Sequence, residues 1–215
     1  MSLFDTFDPV SEEILKPSHM ICPVAGFPET VVLTFEEKSL QALQKGWETR
    51  AAAVLSGGRD IPVYAFIHNE RELGMVQSII GGAATAALVE EVLALGAKRV
   101  LLYGACGVLD SALTAGHFIL PTAAYRDEGT SYHYLPPADY VDIPTARRLG
   151  EIFDGLRLPY VKGRVWTTDA LYRETRNNVE KRKADGCIAV DMECASAMAV
   201  GWFRGAEVYQ FLYAE

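Results

Sequence analysis

The 215-residue sequence is poor in the features that mark most specialised protein classes. It has four cysteines, Cys22, Cys106, Cys187 and Cys194, and no two of them form a C-x-x-C pair. That spacing argues against a disulfide framework or a zinc site, and the four are read as buried thiols of a reducing compartment. No apolar run approaches the ~20 residues needed to cross a bilayer. The first twenty residues carry Asp5, Asp8, Glu12 and Glu13, which is not the charge pattern of a secretory leader. Basic residues are in the minority, 20 against 28 acidic, for a net charge of -8. A nucleic-acid binder normally presents a basic face, so nucleic acid is not an expected partner. A small anion is still compatible with an acidic chain, because one local arginine can hold it. Internal repeats, linkers and low-complexity stretches are also missing. These absences predict a soluble, cytoplasmic protein without membrane contact, folded as one domain over 1–215.

What is present is a chain that is 50% hydrophobic, enough for a substantial core. Residues 1–30 are irregular and Pro-rich. Strands are expected at 31–34, 62–68, 76–80, 99–103, 117–121, 160–167, 187–190 and 207–213. Helices are expected in the first half of 35–55 and at 83–95, 145–156, 171–184 and 192–203, with Gly96 ending the second of these. Residues 56–60 read as a turn and 125–140 as a polar, aromatic loop. Strands alternating with helices predict an α/β fold, a three-layer α/β/α arrangement around a central, mostly parallel, mixed sheet. In such sheets ligands gather at the carboxyl ends of the strands.

Four predicted loops leave strands there with suggestive chemistry. Gly81-Gly82 is a small-residue turn into a helix, suited either to close backbone approach of an anion or to tight packing. Gly104-Ala105-Cys106-Gly107 after a buried strand has the same two readings. Cys106 has no neighbouring cation or His in sequence to activate it, so it reads as a wall of a pocket and not a nucleophile. Thr168-Asp169 precedes Leu171 and Tyr172, an apolar, flat-sided pair fit for a heterocycle. Asp191-Met192-Glu193 opens a helix. Asp191 is a good cap and Glu193 suits the first turn, but either acid can also hold a sugar diol. The loop from Arg126 to Pro136 offers His133 as a base, or an ion-paired turn with tyrosines packed beneath it.

In order and spacing, these segments resemble the nucleoside phosphorylase family, the group of uridine phosphorylases, hexameric purine nucleoside phosphorylases and nucleosidases. The resemblance runs from about Val76 to Tyr213. It rests on Ile80-Gly81-Gly82-Ala83-Ala84-Thr85, Gly104-Ala105-Cys106-Gly107, Arg126-Asp127-Glu128-Gly129-Thr130-Ser131, Thr168-Asp169-Ala170-Leu171-Tyr172 and Asp191-Met192-Glu193. It implies cleavage of the N-glycosidic bond of a nucleoside, with a pyrimidine nucleoside among the candidates, through an oxocarbenium-like transition state. It also implies phosphate as co-substrate and no metal or organic cofactor. By that resemblance Glu193, with Met192 and Asp191, serves the ribose. Leu171, Tyr172, Val190, Cys106, Gly107 and Arg176 serve the base, and Gly104 and Ala105 the phosphate. A homo-oligomer, dimer or hexamer, is implied as well.

The sequence departs from the family pattern chiefly around phosphate. Leu102 stands where an arginine is usual, and Ala105 where Ser or Thr is usual. Cys22-Pro23-Val24-Ala25-Gly26 occupies the region of an arginine-bearing loop and has none. Arg50, Arg59 or Arg71 are the candidate replacements. Thr175 and Asn177 stand where a uracil-reading Gln and Arg occur, and Glu215 is the candidate for a base-protonating acid. The alternatives are therefore a hydrolytic nucleosidase and a non-catalytic nucleoside-binding homologue.

Overall fold

The computed structural model describes residues 5–56 and 59–215. The turn expected at 56–60 is centred on Gly57-Gly58, outside the described residues. In chain order the elements are α1 (Pro17–Met20), β1 (Thr30–Thr34), α2 (Glu37–Gly46), β2 (Thr49–Ser56), β3 (Asp60–His68) and β4 (Arg71–Gln77). Then come α3 (Gly82–Leu95), β5 (Arg99–Val108), β6 (Phe118–Asp127), α4 (Ser131–Tyr134), β7 (Tyr140–Asp142) and α5 (Thr145–Gly155). The last group is β8 (Tyr160–Thr168), a 3-10 turn (Leu171–Arg173), α6 (Arg176–Ala184), β9 (Cys187–Asp191), α7 (Cys194–Arg204) and β10 (Glu207–Ala214).

One sheet carries all ten strands, in the order β10-β6-β8-β9-β5-β1-β4-β3-β2, with β7 on β6. Five pairings are parallel and five antiparallel, so the sheet is mixed. Because β10 also pairs with β5, the strands β5, β10, β6, β8 and β9 close into a ring. The closing contacts are short: Gly107 and Val108 against β9, and Ile119 and Phe118 against β10. Ring closure brings the carboxyl ends of β5, β8, β9 and β10 to one rim.

Period-2 alternation in β1 and β5 decides the layers. Val31, Leu33, Val100 and Leu102 are fully buried in the main core, with the apolar residues of α3 and α7. The alternate residues point to the other face. There Val32 and Tyr103 meet Leu43 of α2, and Leu101 meets Leu149 and Phe153 of α5. Tyr103 and Phe211 stack at 5.3 Å across that face. Helices thus cover both faces, as the alternation of elements predicts.

Local differences from the expected elements have identifiable causes. The segment 104–107 is strand, not turn, because its glycines let β5 run close beneath Phe35 and Val190. The helix expected at 171–184 is two pieces. Thr175 breaks it and caps α6, its hydroxyl accepting from the Asn178 N–H. Much of the loop expected at 125–140 is ordered into the end of β6, α4 and the start of β7. The strand β2 was not foreseen: it is Ala-rich, lies at a sheet edge, and is mostly exposed, so it has no apolar alternation to read. Cys22 is exposed, contrary to expectation, whereas Cys106, Cys187 and Cys194 are buried and unpaired.

Candidate active site

A cavity of about 530 Å³ opens at the carboxyl ends of the ring strands. Residues Phe35 and Glu36 line it from the loop after β1, and Ile80 from the loop after β4. The end of β5 supplies Ala105, Cys106 and Gly107, and the end of β9 supplies Val190, Asp191, Met192 and Glu193. Leu171 and Glu174 come from the 3-10 turn after β8 and its flank, Tyr213 from β10 and Glu215 from just after it. This is the strand end at which α/β sheets bind ligands.

The two acids at the end of β9 have different tasks. Asp191 is buried, and one carboxylate oxygen accepts from the Thr167 hydroxyl at 2.7 Å. The other accepts from the N–H groups of Glu193 at 2.9 Å and Cys194 at 2.6 Å. Asp191 therefore caps α7 and ties it to β8, whose Thr167 hydroxyl in turn accepts from the Ala195 N–H. The cap reading of the sequence fits Asp191, which departs from the sugar-binding role the resemblance gave it.

Glu193 is only 6% exposed and accepts from the Gly81 N–H at 2.7 Å. Gly81 has φ +111°, a conformation side chains rarely adopt, and it turns that N–H toward the acid. Burial first, and then the negative charge of Asp191, push the Glu193 carboxyl up to about 7, against the pull of the Gly81 and Met192 N–H groups. A buried acid poised near neutrality beside a cavity is a characteristic of functional sites. Gly82 serves packing instead: a Cβ there would lie 2.4 Å from the Ser196 hydroxyl.

The loop between β6 and α4 supports this arrangement from outside the cavity. Glu128 accepts from the Ser196 hydroxyl of α7 at 2.6 Å, and from the N–H and hydroxyl of Ser131. Arg126 donates to the Ser131 hydroxyl and to the carbonyls of Pro136 and Leu135, with its guanidinium over the Tyr132 ring at 4.0 Å. Asp169 accepts from the Gly129 N–H at 3.0 Å, joining the β8 loop to this turn. The loop is thus an internally bonded brace. His133 is exposed and lies on a different cavity, so it is no base for this site.

Of the residues singled out in the sequence, Ala105, Cys106, Gly107, Leu171, Val190, Asp191, Met192, Glu193 and Glu215 meet in the one cavity. Burial, with the Asp191 charge beside it, pushes the Cys106 thiol up to about 12, and it donates to the Tyr213 carbonyl; it is a wall. Tyr172 is 95% exposed and Arg176 is also exposed; neither lines the cavity, because the chain leaves it after Leu171 and returns only with Glu174. Gly104 lies beneath Phe35, where a Cβ would come within 2.7 Å of the ring, and does not line the cavity.

The phosphate side differs most from expectation. Leu102 is fully buried in the core. Gly26 sits at the amino ends of the strands, on another cavity with Arg71 and Arg99. Arg50 is paired there with Glu72 at 2.6 Å. Arg59 does not line the site either. The loop that reaches it is the one after β1, carrying Glu36, which accepts from the Tyr213 and Ser39 hydroxyls. All five charged lining residues are acids: Glu36, Glu174, Asp191, Glu193 and Glu215. No Arg, Lys or His is among the described lining residues. Phe35, Glu36, Ile80, Glu174 and Tyr213 were missed in the sequence. Only the rule that ligands gather after parallel strands could have pointed to the loop after β1.

Comparison with known proteins gives concordant results. A guanosine phosphorylase of Halorubrum lacusprofundi is 26% identical over 156 residues, covering 71% of this chain and 64% of its own length. A uridine phosphorylase of Thermococcus kodakarensis is 26% identical over 167 residues, covering 76% of this chain and 59% of its own. The chain thus spans less than two thirds of the length of these curated relatives. The crystal structure of uridine phosphorylase from Vibrio fischeri superposes with a TM-score of 0.80 at 20% identity, over 95% of this chain and 86% of that one. At that identity the likeness shows a common fold. The family model described as the phosphorylase superfamily matches residues 24–212, and this chain belongs to that superfamily.

Proposed function

We propose that this chain cleaves the N-glycosidic bond of a nucleoside and transfers the ribosyl group to phosphate. The observation that carries the reading is Glu193, a buried acid with a carboxyl near 7, lining an apolar-walled cavity at the carboxyl strand ends. As a carboxylate it accepts from the ribose 2′- and 3′-hydroxyls. Those bonds strengthen as C1′ takes on oxocarbenium character, which stabilises the transition state over the ground state. Met192 packs beside the sugar, and Leu171, Val190 and the Cys106-Gly107 edge flank the base. The relatives named as guanosine and uridine phosphorylases support the reaction class. The reaction uses no metal or organic cofactor. The cation for phosphate comes from a second copy in a homo-oligomer, dimer or hexamer, since none is among the described residues that line the cavity. We place the protein in the cytoplasm, in nucleoside salvage. The three buried, unpaired thiols fit that compartment, and no helix among the described residues is long and apolar enough to cross a membrane.

A second reading, in which water is the acceptor, is favoured by the charged residues among the described lining, all of them acids, which repel a free phosphate. One assay separates them: chromatographic detection of free base from a nucleoside panel, with and without phosphate. Base release that rises with phosphate and yields ribose 1-phosphate supports phosphorolysis. Release indifferent to phosphate, with free ribose as product, replaces it with hydrolysis. Nucleoside binding without any turnover rejects both and leaves a binding protein.

A further inference from the structure

Residues 127–131 are not among the described residues that line the cavity, yet their bonds reach two of its walls. The Gly129 N–H donates to Asp169, two residues before Leu171. Glu128 reaches the other wall. It is buried, a costly place for a charge. One of its oxygens accepts from the Ser131 N–H at 3.0 Å and the Ser196 hydroxyl at 2.6 Å, and the other from the Ser131 hydroxyl.

Ser196 is fully buried in the first turn of α7, three residues after Glu193. Its hydroxyl takes the place of a side chain on Gly82, where a Cβ would lie 2.4 Å from the Ser196 Oγ and 3.2 Å from its Cβ. The hydroxyl therefore packs against the first residue of α3. Gly81, one residue earlier, is the donor to Glu193. Two successive glycines have no side chains to limit their backbone, so contacts must fix it. The Gly81 carbonyl is held by the Thr85 N–H at 3.0 Å, and Gly82 by the Ser196 hydroxyl. A helical serine without a partner turns its hydroxyl back to a carbonyl of the preceding turn. A carboxylate is the stronger acceptor, and Glu128 keeps the hydroxyl on the Gly82 side.

We propose that Glu128 is a positioning residue of the reaction: through the Ser196 hydroxyl it holds the Gly81-Gly82 turn so that the Gly81 N–H meets the Glu193 carboxylate. The inference rests on the glycosidic-cleavage reading above, in which Glu193 works as a carboxylate. The Gly81 N–H favours the ionised form of Glu193, against burial and the charges of Asp191 and Asp169. The other titratable groups on the cavity, Glu36, Cys106, Glu174, Tyr213 and Glu215, are the same in every variant below.

The test is kcat/KM against pH for base release from guanosine, inosine, adenosine and uridine, with the full chain. In the wild type the profile is expected to rise near pH 7. Ser196→Ala keeps the helix and removes only the hydroxyl; Glu128→Ala removes its acceptor. Each is expected to move the rise up by about one pH unit, the effect of one lost bond to a carboxylate, with a roughly fivefold loss at pH 7 that recovers above pH 9. Glu128→Gln keeps an oxygen for Ser196 and the Ser131 N–H, its amide donating to the Ser131 hydroxyl, and is expected to bring the rise back to its wild-type place. A merely structural role would lower Tm and leave the profile where it is. A rise that stays near pH 7 in either Ala variant overturns the inference. A rise moved as far in Glu128→Gln overturns it too, because the charge and not the bond would then be acting. Thermal melts give a second readout that needs no turnover. The gain in Tm from Glu193→Gln is expected to level off about one pH unit higher in the Ser196→Ala background than in the wild type, and an unmoved plateau overturns the inference. Base release by the wild type from none of the four nucleosides overturns the cleavage reading instead, and the melts then decide the position of the Gly81 N–H on their own.

Discussion

Replacing Glu193 with Gln tests the electrostatics of the site through stability as well as chemistry. An unperturbed glutamate titrates at 4.5, and in the folded chain Glu193 is pushed up to about 7. Between those values the unfolded chain releases the proton while the native chain keeps it. The native state thus binds more protons, and its stability falls as pH rises through this window. The loss is complete above the folded value and amounts to roughly 3 kcal/mol. Glutamine keeps an oxygen to accept from the Gly81 N–H and cannot ionise. Glu193→Gln should therefore match the wild type near pH 4.5, gain stability progressively to pH 7, and level off above pH 8. The ceiling is a rise in Tm of roughly 6–10 °C for a chain of this size. The same variant should lose catalysis, because a neutral amide accepts poorly from a diol that carries growing positive charge nearby. Thermal melts from pH 5 to pH 8.5, paired with base-release rates, measure both. A Gln variant less stable than the wild type at pH 8, or a difference that does not vary with pH, would refute the argument.

Three other outcomes are expected. The kcat/KM profile of the wild type should rise with an apparent pKa near 7, as Glu193 ionises; a flat profile from pH 5.5 to 8 would show that its charge is not used. Asp191→Asn replaces one acceptor oxygen with a donor facing N–H or O–H groups, and should cost about 2–3 kcal/mol in urea unfolding. It should also move the rising limb of that profile to lower pH, since the charge beside Glu193 is gone; an unmoved limb would contradict the coupling. Gly107→Ala places a Cβ 2.9 Å from the Val190 Cγ1, so it should destabilise by about 1–3 kcal/mol and weaken nucleoside binding by narrowing the base wall. Calorimetric titration with unchanged affinity would count against that wall.

The acid pair at the end of β9 was legible because it combines two local signals, an apolar strand and a small-residue helix, and local signals survive in sequence. Even so, sequence could not divide the tasks between Asp191 and Glu193. That division depends on Thr167, 24 residues earlier, and Gly81, 112 residues earlier. Tyr172 shows the reverse error. It looked like the flat face of a base site beside Leu171, but the 3-10 turn sends neighbouring side chains to different sides and leaves Tyr172 in solvent. Glu36 and Glu174 gave no signal at all: each is one acid among 28, distinguished only by which cavity it meets.

The sequence by itself determined the α/β class, both helical layers and the family, because periodicity and the order of short motifs are properties of the chain. It also singled out Glu193, which lines the cavity. The closing of β5, β10, β6, β8 and β9 into a ring was decided only in three dimensions, since it depends on a few pairings between distant strands. So was the lining of the cavity, among the described residues, by five acids and no cation, because local charge is set by which loops converge and not by the net charge of the chain.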